Sequence, residues 1–232
     1  MTKTIKTQPT NHRVRVGQKR SAMTRTRLLQ GALPVFASHG VDASVIHLII
    51  KNAGVSRGTF YNYFRTNEEL FFAVAEKVSS ELIHIVEPVV RLQSDPAARI
   101  ACGVKLVVKL AKSYPLFAQF IVRGGPAAIC AGSLATEVVP GDIREGLESG
   151  RFSVKDERVA LDLLLGPVLM AFNAILTEGI SDSYPQELAQ AILQSLGMTK
   201  STAGKLASTD FGDVELPEDS LFVQAQKYVQ AN

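Results

Sequence analysis

Tryptophan is absent from this chain of 232 residues, and cysteine occurs only twice, as Cys102 and Cys130. The two form neither a CxxC pair nor part of a Cys/His set with zinc spacing. That excludes a zinc ribbon or a disulfide framework as the organising principle, and both are expected to be small buried hydrophobes. Long apolar runs are also missing. The stretches 100–110 and 161–176 read as too short or too interrupted to span a bilayer, which takes roughly 18 to 20 uncharged residues. The first residues are polar, with no apolar stretch of the signal-peptide kind, so a cytoplasmic protein is expected. Sustained alternation of apolar and polar residues is almost absent, which argues against a sheet. Acid is scarce at one end: residues 1–67 contain only Asp42 against 11 Lys and Arg, a net charge of +10. Residues 68–232 hold the other 14 basic and 21 acidic residues, a net charge of −7. Asymmetry of this size marks an end that meets a polyanion.

Catalytic signatures are missing as well. No GxSxG, phosphate loop or HExxH is present. Of the four histidines, His12, His39 and His47 lie in the basic end, leaving His84 outside it. The acids Asp156 and Glu157 stand at a helix start, where the helix dipole accounts for them. Neither an enzymatic activity nor a cofactor or metal is expected.

What is there is helix. With 46% hydrophobic and 20% charged residues the chain can bury a core. Residues 1–20 have no hydrophobic cluster and read as a basic flexible arm. Leu28, Leu29, Ala32, Leu33, Phe36 and Ala37 then recur at helical spacing up to Gly40, with a kink expected at Pro34. A second helix is expected from Ser44 as its N-cap, with Ile46, Ile49, Ile50 and Ala53 inward. After Gly54, Ser56 caps a short third helix, and Thr66 caps a fourth that bends or stops near Pro88. Further helices are expected over 95–113, 115–122, 142–148, 155–178 and 185–196, with 126–141 as loop. The fold class is all-α. The expected organisation is an arm over 1–20, a helix-turn-helix domain over 21–68, a helical ligand-binding and dimerisation domain over 69–208, and an acidic tail over 209–232.

Residues 44–64, SVIHLIIKNAGVSRGTFYNYF, carry the chemistry. Two helices joined by a tight glycine turn, the second short and capped, make a helix-turn-helix. Ala53 is small enough for the helices to approach, Gly54 takes a backbone shape that side chains resist, and Val55 fills the corner. Phe60 and Phe64 anchor the third helix, which turns Arg57, Gly58, Tyr61 and Asn62 outward. An arginine fork suits guanine and an amide suits adenine in the major groove. The hydroxyls of Thr59 and Tyr63 suit phosphates, which position without reading sequence. Ser44 and His47, at the outward start of the second helix, complete the candidate DNA-contacting set. Phe117, Phe120, Met170 and Phe172 are candidates for lining a ligand cavity between helices.

At these residues the chain resembles the tetracycline-repressor (TetR) family of bacterial regulators. The resemblance is strongest over AGVSRGTFYNYF (residues 53–64) and Glu69-Leu70, and reaches back to Phe36 and Gly40. LDLLLGPVLMAF (residues 161–172) resembles the long penultimate helix of many members. The resemblance implies a transcriptional repressor that reads a double-stranded DNA operator with its third helix and is released by a small-molecule effector. A homodimer is expected, with 155–178 and 185–196 as its candidate surface, and hence a palindromic operator. Three positions depart from the family pattern. Asn67 stands where a phosphate-contacting Lys is usual, Val45 where a second Thr is common, and Ile50 where Ala is usual. Loss of those phosphate contacts would suit a helical adaptor that binds a protein partner instead of DNA.

Overall fold

Helix α1 (Asn11–His39) is 29 residues long, roughly 43 Å at 1.5 Å per residue. The computed structural model describes residues 11–41 and 43–231. The arm expected over 1–20 is thus helical from Asn11 onward, and its first ten residues lie outside the described ones. Residues 15–23 are exposed, whereas every residue from Leu28 to Ala37 except Gln30 is buried. The helix runs on through Pro34. Pro34 lies in that buried segment, where packing outweighs the missing backbone donor.

Three short elements complete the N-terminal unit. A 3-10 turn (Ala43–Val45) leads into α2 (Ile46–Ala53), so the α-helix starts two residues after Ser44 and has no side-chain cap. The turn puts Val45 in the core, 3% exposed. Gly54 ends α2 at φ 60°, ψ 43°, the left-handed region, and the Val55 N–H returns to the Ile50 carbonyl at 3.2 Å. Helix α3 (Arg57–Tyr63) is capped as expected, Ser56 Oγ accepting from the Thr59 N–H at 3.0 Å. Thr66 caps α4 (Asn67–Val90) in the same way through the Glu69 N–H at 3.1 Å. Helix α4 continues past Pro88.

Gly31 decides how α1 meets α2. A Cβ built there would lie 2.8 Å from the backbone nitrogen of Ala53, so the two helices touch backbone to backbone. Asn52 Nδ2 donates to the Gly31 carbonyl at 3.3 Å, and Arg27 Nη2 to the Gly54 carbonyl at 2.9 Å.

The remaining helices surround α5 (Pro96–Ser113), which Asp95 caps and which packs on α4 and on most of those that follow. Helix α6 (Pro115–Cys130) breaks at Gly125 (φ 55°, ψ −144°), close to its expected end, and then resumes. A π-helical turn (Leu134–Val138) leads into α7 (Val139–Glu148), which starts with Pro140 and Gly141 rather than after them. Proline suits a first helical turn, where its missing N–H has no partner to lose. Then come α8 (Glu157–Thr177), α9 (Tyr184–Ser195) and α10 (Lys200–Ser208). The chain crosses back to α11 (Leu221–Ala231), which packs on α1, α4 and α6. The expected acidic tail is therefore docked. Buried Lys105 anchors its start, Nζ donating to the Ala207 and Thr209 carbonyls at 2.8 and 2.6 Å. Burial, and next the charge of Lys109, lowers the pKa of that ammonium. Among the described residues every element is helical.

Two expectations about apolar residues need correction. Cys102 is buried, and burial pushes its thiol up to about 11, but Cys130 is exposed beside the Gly125 break. Helix α8 is more apolar than 161–176 suggested: 18 of its 21 residues in succession have a mean hydropathy of 2.0, long and apolar enough to cross a membrane. It instead buries Ala160, Leu164, Ala171 and Phe172 against its neighbours and leaves an apolar outer strip.

The α1–α2 contact yields a prediction. Gly31→Val forces the two backbones apart, at an overpacking cost of about 1–3 kcal/mol. Urea denaturation will show a lowered midpoint, whereas Gly17→Val, in open space on the exposed half of α1, will leave it unchanged.

Candidate nucleic-acid interface and apolar cavity

Helix α3 has seven residues and cannot hold itself in place, so its inward face does so. Phe60 is fully buried and Phe64 is 3% exposed. Each is worth roughly 1.5–3 kcal/mol of burial. Arg25 of α1 closes the underside, its guanidinium 5.6 Å from the centre of the Phe64 ring.

The opposite face carries the residues singled out in the sequence. Arg57, Gly58, Tyr61 and Asn62 are exposed on α3, and His47 and Ser44 are exposed at the start of α2. Arg57 lies over the Tyr61 ring at 5.8 Å, a stacking that holds the fork without using its hydrogen-bond donors. A Cβ on Gly58 would meet nothing closer than Ser56 Oγ at 3.9 Å. The fold does not require glycine there, so the missing side chain leaves room for something outside the chain. His47 Nδ1 is 2.6 Å from the Ser44 carbonyl.

Two of the set are less free than expected. Thr59 and Tyr63 are half-buried. Thr59 Oγ1 is 2.9 Å from Ser56 Oγ, and the Tyr63 hydroxyl donates to Ser21 Oγ at 3.2 Å. Ser21 was not legible as part of the site, because it lies 42 residues away on α1. Among the described residues the same unit exposes seven further basic ones: Arg15, Lys19, Arg20, Arg25 and Arg27 on α1, Lys51 on α2 and Arg65 after α3. The departures Val45 and Asn67 are both buried, at 3% each.

A second feature lies between α4, α5, α6, α7 and α8. It is a cavity of about 150 Å³ with walls of Val78, Leu82, Val104, Phe117, Leu164 and Phe172. Of the four proposed liners, Phe117 and Phe172 face it, with their rings 5.2 Å apart. Phe120 packs instead on Phe71 at 5.2 Å, and Met170 is 62% exposed on the outside of α8. Helical spacing located the residues but not the side of the helix that each one faces.

The cavity has one polar end, made by Glu87, Arg99 and Asp142. Arg99 is 6% exposed. Its Nε donates to Asp142 Oδ1 at 2.8 Å, its Nη1 to the Gln93 and Ser94 carbonyls, and its Nη2 to Glu145. Arg91 Nη1 reaches the same Asp142 Oδ1 at 3.1 Å, and its Nε pairs with Glu87. Beside them Asp95 accepts from Arg151 at 2.6 Å and from the Ala97 N–H at 2.9 Å. Burial pushes the Asp95 carboxyl up, but these hydrogen bonds and the charges of Arg151 and Arg99 bring it below its usual value. No sequence signal marks the pairs of Arg99 with Asp142 and Glu145 or of Arg151 with Asp95, whose members lie 43 to 56 residues apart.

Comparison with known proteins follows the same division. Residues 28–74 match the family described as bacterial regulatory proteins, tetR family, and residues 95–209 match the tetracyclin repressor-like C-terminal domain. This chain belongs to the TetR family. The repressor AcnR of Corynebacterium diphtheriae is 31% identical over 65 residues, 28% of this TetR-family chain and 34% of AcnR. The match thus spans about a third of that relative's length. The crystal structure of RolR with resorcinol is 28% identical over 86% of this chain and 100% of its own, with a TM-score of 0.67. FadR of Bacillus subtilis, solved with stearoyl-CoA, shares the fold at 19% identity and a TM-score of 0.59, over 75% of this chain and 98% of its own. Residues 210–231, which include α11, lie beyond both family matches.

The polar end yields a prediction. Arg99→Met leaves Asp142, 4% exposed, with Arg91 alone among the described residues as its partner. The expected loss of stability is about 3 kcal/mol, read from chemical denaturation. Arg144→Ala, which removes the exposed pair with Glu157, will leave the transition where it is.

Proposed function

We propose that this protein is a sequence-specific DNA-binding transcriptional regulator, a repressor released from its operator by a small molecule. One observation carries the reading. Helix α3 spends its inward face on the core and presents Arg57, Gly58, Tyr61 and Asn62 together, in a unit rich in exposed cations. Arg57 and Asn62 are the base readers, and Ser44, His47, Thr59 and Tyr63 hold the phosphate backbone. The exposed cations of α1 supply the sequence-independent attraction.

The protein acts as a homodimer in the cytoplasm. Two copies of α3 entering successive major grooves need a spacing of roughly 34–36 Å, and a two-fold pair implies a palindromic operator. Helix α8 supports this reading, with Val159 49% and Met170 62% exposed on an apolar strip. Helix α9, the other half of the expected surface, spends Ala189, Ile192 and Leu193 inside its own chain against α5 and α10. We therefore assign the dimer contact to α8. The cavity is the effector site, in keeping with the RolR structure that holds resorcinol. Ligand shifts the pair between two spacings only by as much as it binds them differently.

The reading as a protein-binding adaptor loses its support. Val45 and Asn67 are each 3% exposed, so packing inside the unit accounts for these side chains.

Selection of bound fragments from sheared genomic DNA tests the proposal. The expected result is a recovered palindrome whose affinity falls steeply with salt. Arg57→Ala should cost about 1–3 kcal/mol and relax selectivity at one base pair of each half-site. No enrichment over random fragments would overturn the regulator reading, and unchanged selectivity would remove Arg57 from it.

A further inference from the structure

We infer that the cavity takes an uncharged molecule of single-ring size that carries a hydroxyl donor, and that it rejects carboxylates and long acyl chains. This rests on the reading of the chain as an effector-released regulator. Size comes first. An apolar cavity of about 150 Å³ is of the volume that holds one benzene ring. A long acyl chain exceeds that volume. Charge comes second. Arg99 is the one cation among the described residues lining the cavity, and Asp142, Glu145 and two carbonyls already engage its nitrogens. A ligand carboxylate entering here would lose its water without gaining a cation. The acids are arranged differently. Both guanidinium contacts to Asp142 fall on Oδ1, and Arg91 pairs with Oε1 of Glu87. Asp142 Oδ2 and Glu87 Oε2 lie outside those pairs, on residues that line the cavity. The polar end is therefore an acceptor, and its matching ligand brings an O–H to an apolar ring.

Calorimetric titration of the full chain with resorcinol, benzoate and stearoyl-CoA tests this. Resorcinol is expected to bind, and benzoate, of the same ring size, at least about tenfold more weakly. Glu87→Gln, at a half-buried position, should weaken resorcinol about tenfold, since a hydrogen bond to a charged acceptor is lost. Asp142→Asn serves as a second variant, provided that it keeps the helical circular dichroism of the parent. Benzoate or stearoyl-CoA binding as tightly as resorcinol would overturn the inference, and so would no binding by any of the three. The operator selection separates the two readings. A protein that captures a palindrome but ignores resorcinol loses only the ligand class, and one that binds resorcinol but no DNA loses only the regulator function.

A separate set of contacts points to α11 as a strap between the cavity and the read-head, and we propose that it couples their motions. At its start, Glu81 of α4 accepts the Leu221 N–H at 3.0 and 2.9 Å, and Phe222 packs on the cavity residue Phe117 at 5.2 Å. At its other end the Tyr228 hydroxyl donates to Asn52 Oδ1 of α2 at 2.9 Å. The same Asn52 amide holds the Gly31 carbonyl where α1 meets α2. The strap thus ties a wall of the cavity to the joint of the helix-turn-helix. Deuterium exchange on the full chain tests it. Phe222→Ala, at the cavity end, should speed exchange of the α2 and α3 amides at least about threefold, and Tyr228→Phe should reproduce the effect. Faster exchange confined to α11 and its immediate contacts, with α2 and α3 unchanged, would overturn the proposal.

Discussion

A single added methyl group at Gly31 would stand 2.8 Å from the backbone nitrogen of Ala53, and much of the N-terminal unit depends on that space. Because α1 and α2 meet backbone to backbone, Asn52 reaches the Gly31 carbonyl and Arg27 reaches the Gly54 carbonyl. Those bonds fix the turn, and the turn sets the direction of α3. With α3 set, Phe60 and Phe64 fall inward, and the outward face follows from helix geometry alone. The same helix α1 then continues onto α6, so the read-head and the cavity share one long element.

Charge is handled in two different ways along the chain. In the N-terminal unit cations stay exposed, with few acids near them, as suits a surface that meets a polyanion. In the body several arginines are consumed. Arg91 and Arg99 end on carboxylates or carbonyls at the polar end of the cavity, and Arg151 ends on Asp95 beside it. A basic residue there stabilises structure rather than offering a binding charge, so among the described lining residues no cation is free. The strap adds a third arrangement, in which a buried carboxylate, Glu81, caps a helix that begins 140 residues later.

How much was legible in advance depended on the range of the interaction. The caps Ser56, Thr66 and Asp95, the turn at Gly54 and the inward phenylalanines are local, each decided within a few residues. The misjudged features answer to distant neighbours. Phe120 packs on Phe71 and not on the cavity, and Met170 faces outward because Phe172 takes the inward place on α8. Val45 and Asn67, which depart from the family pattern, are buried, and their sequence neighbours do not reveal that.

Sequence alone determined the all-helical class, the helix-turn-helix and the exposed quartet on α3, because helical periodicity, capping and turn chemistry act over three or four residues. Only the tertiary structure decided the rest: the size of the cavity, the saturation of Arg99, the outward strip of α8 and the return of α11 to Asn52. Each of these depends on which surfaces meet across tens of residues, and no local preference encodes that meeting.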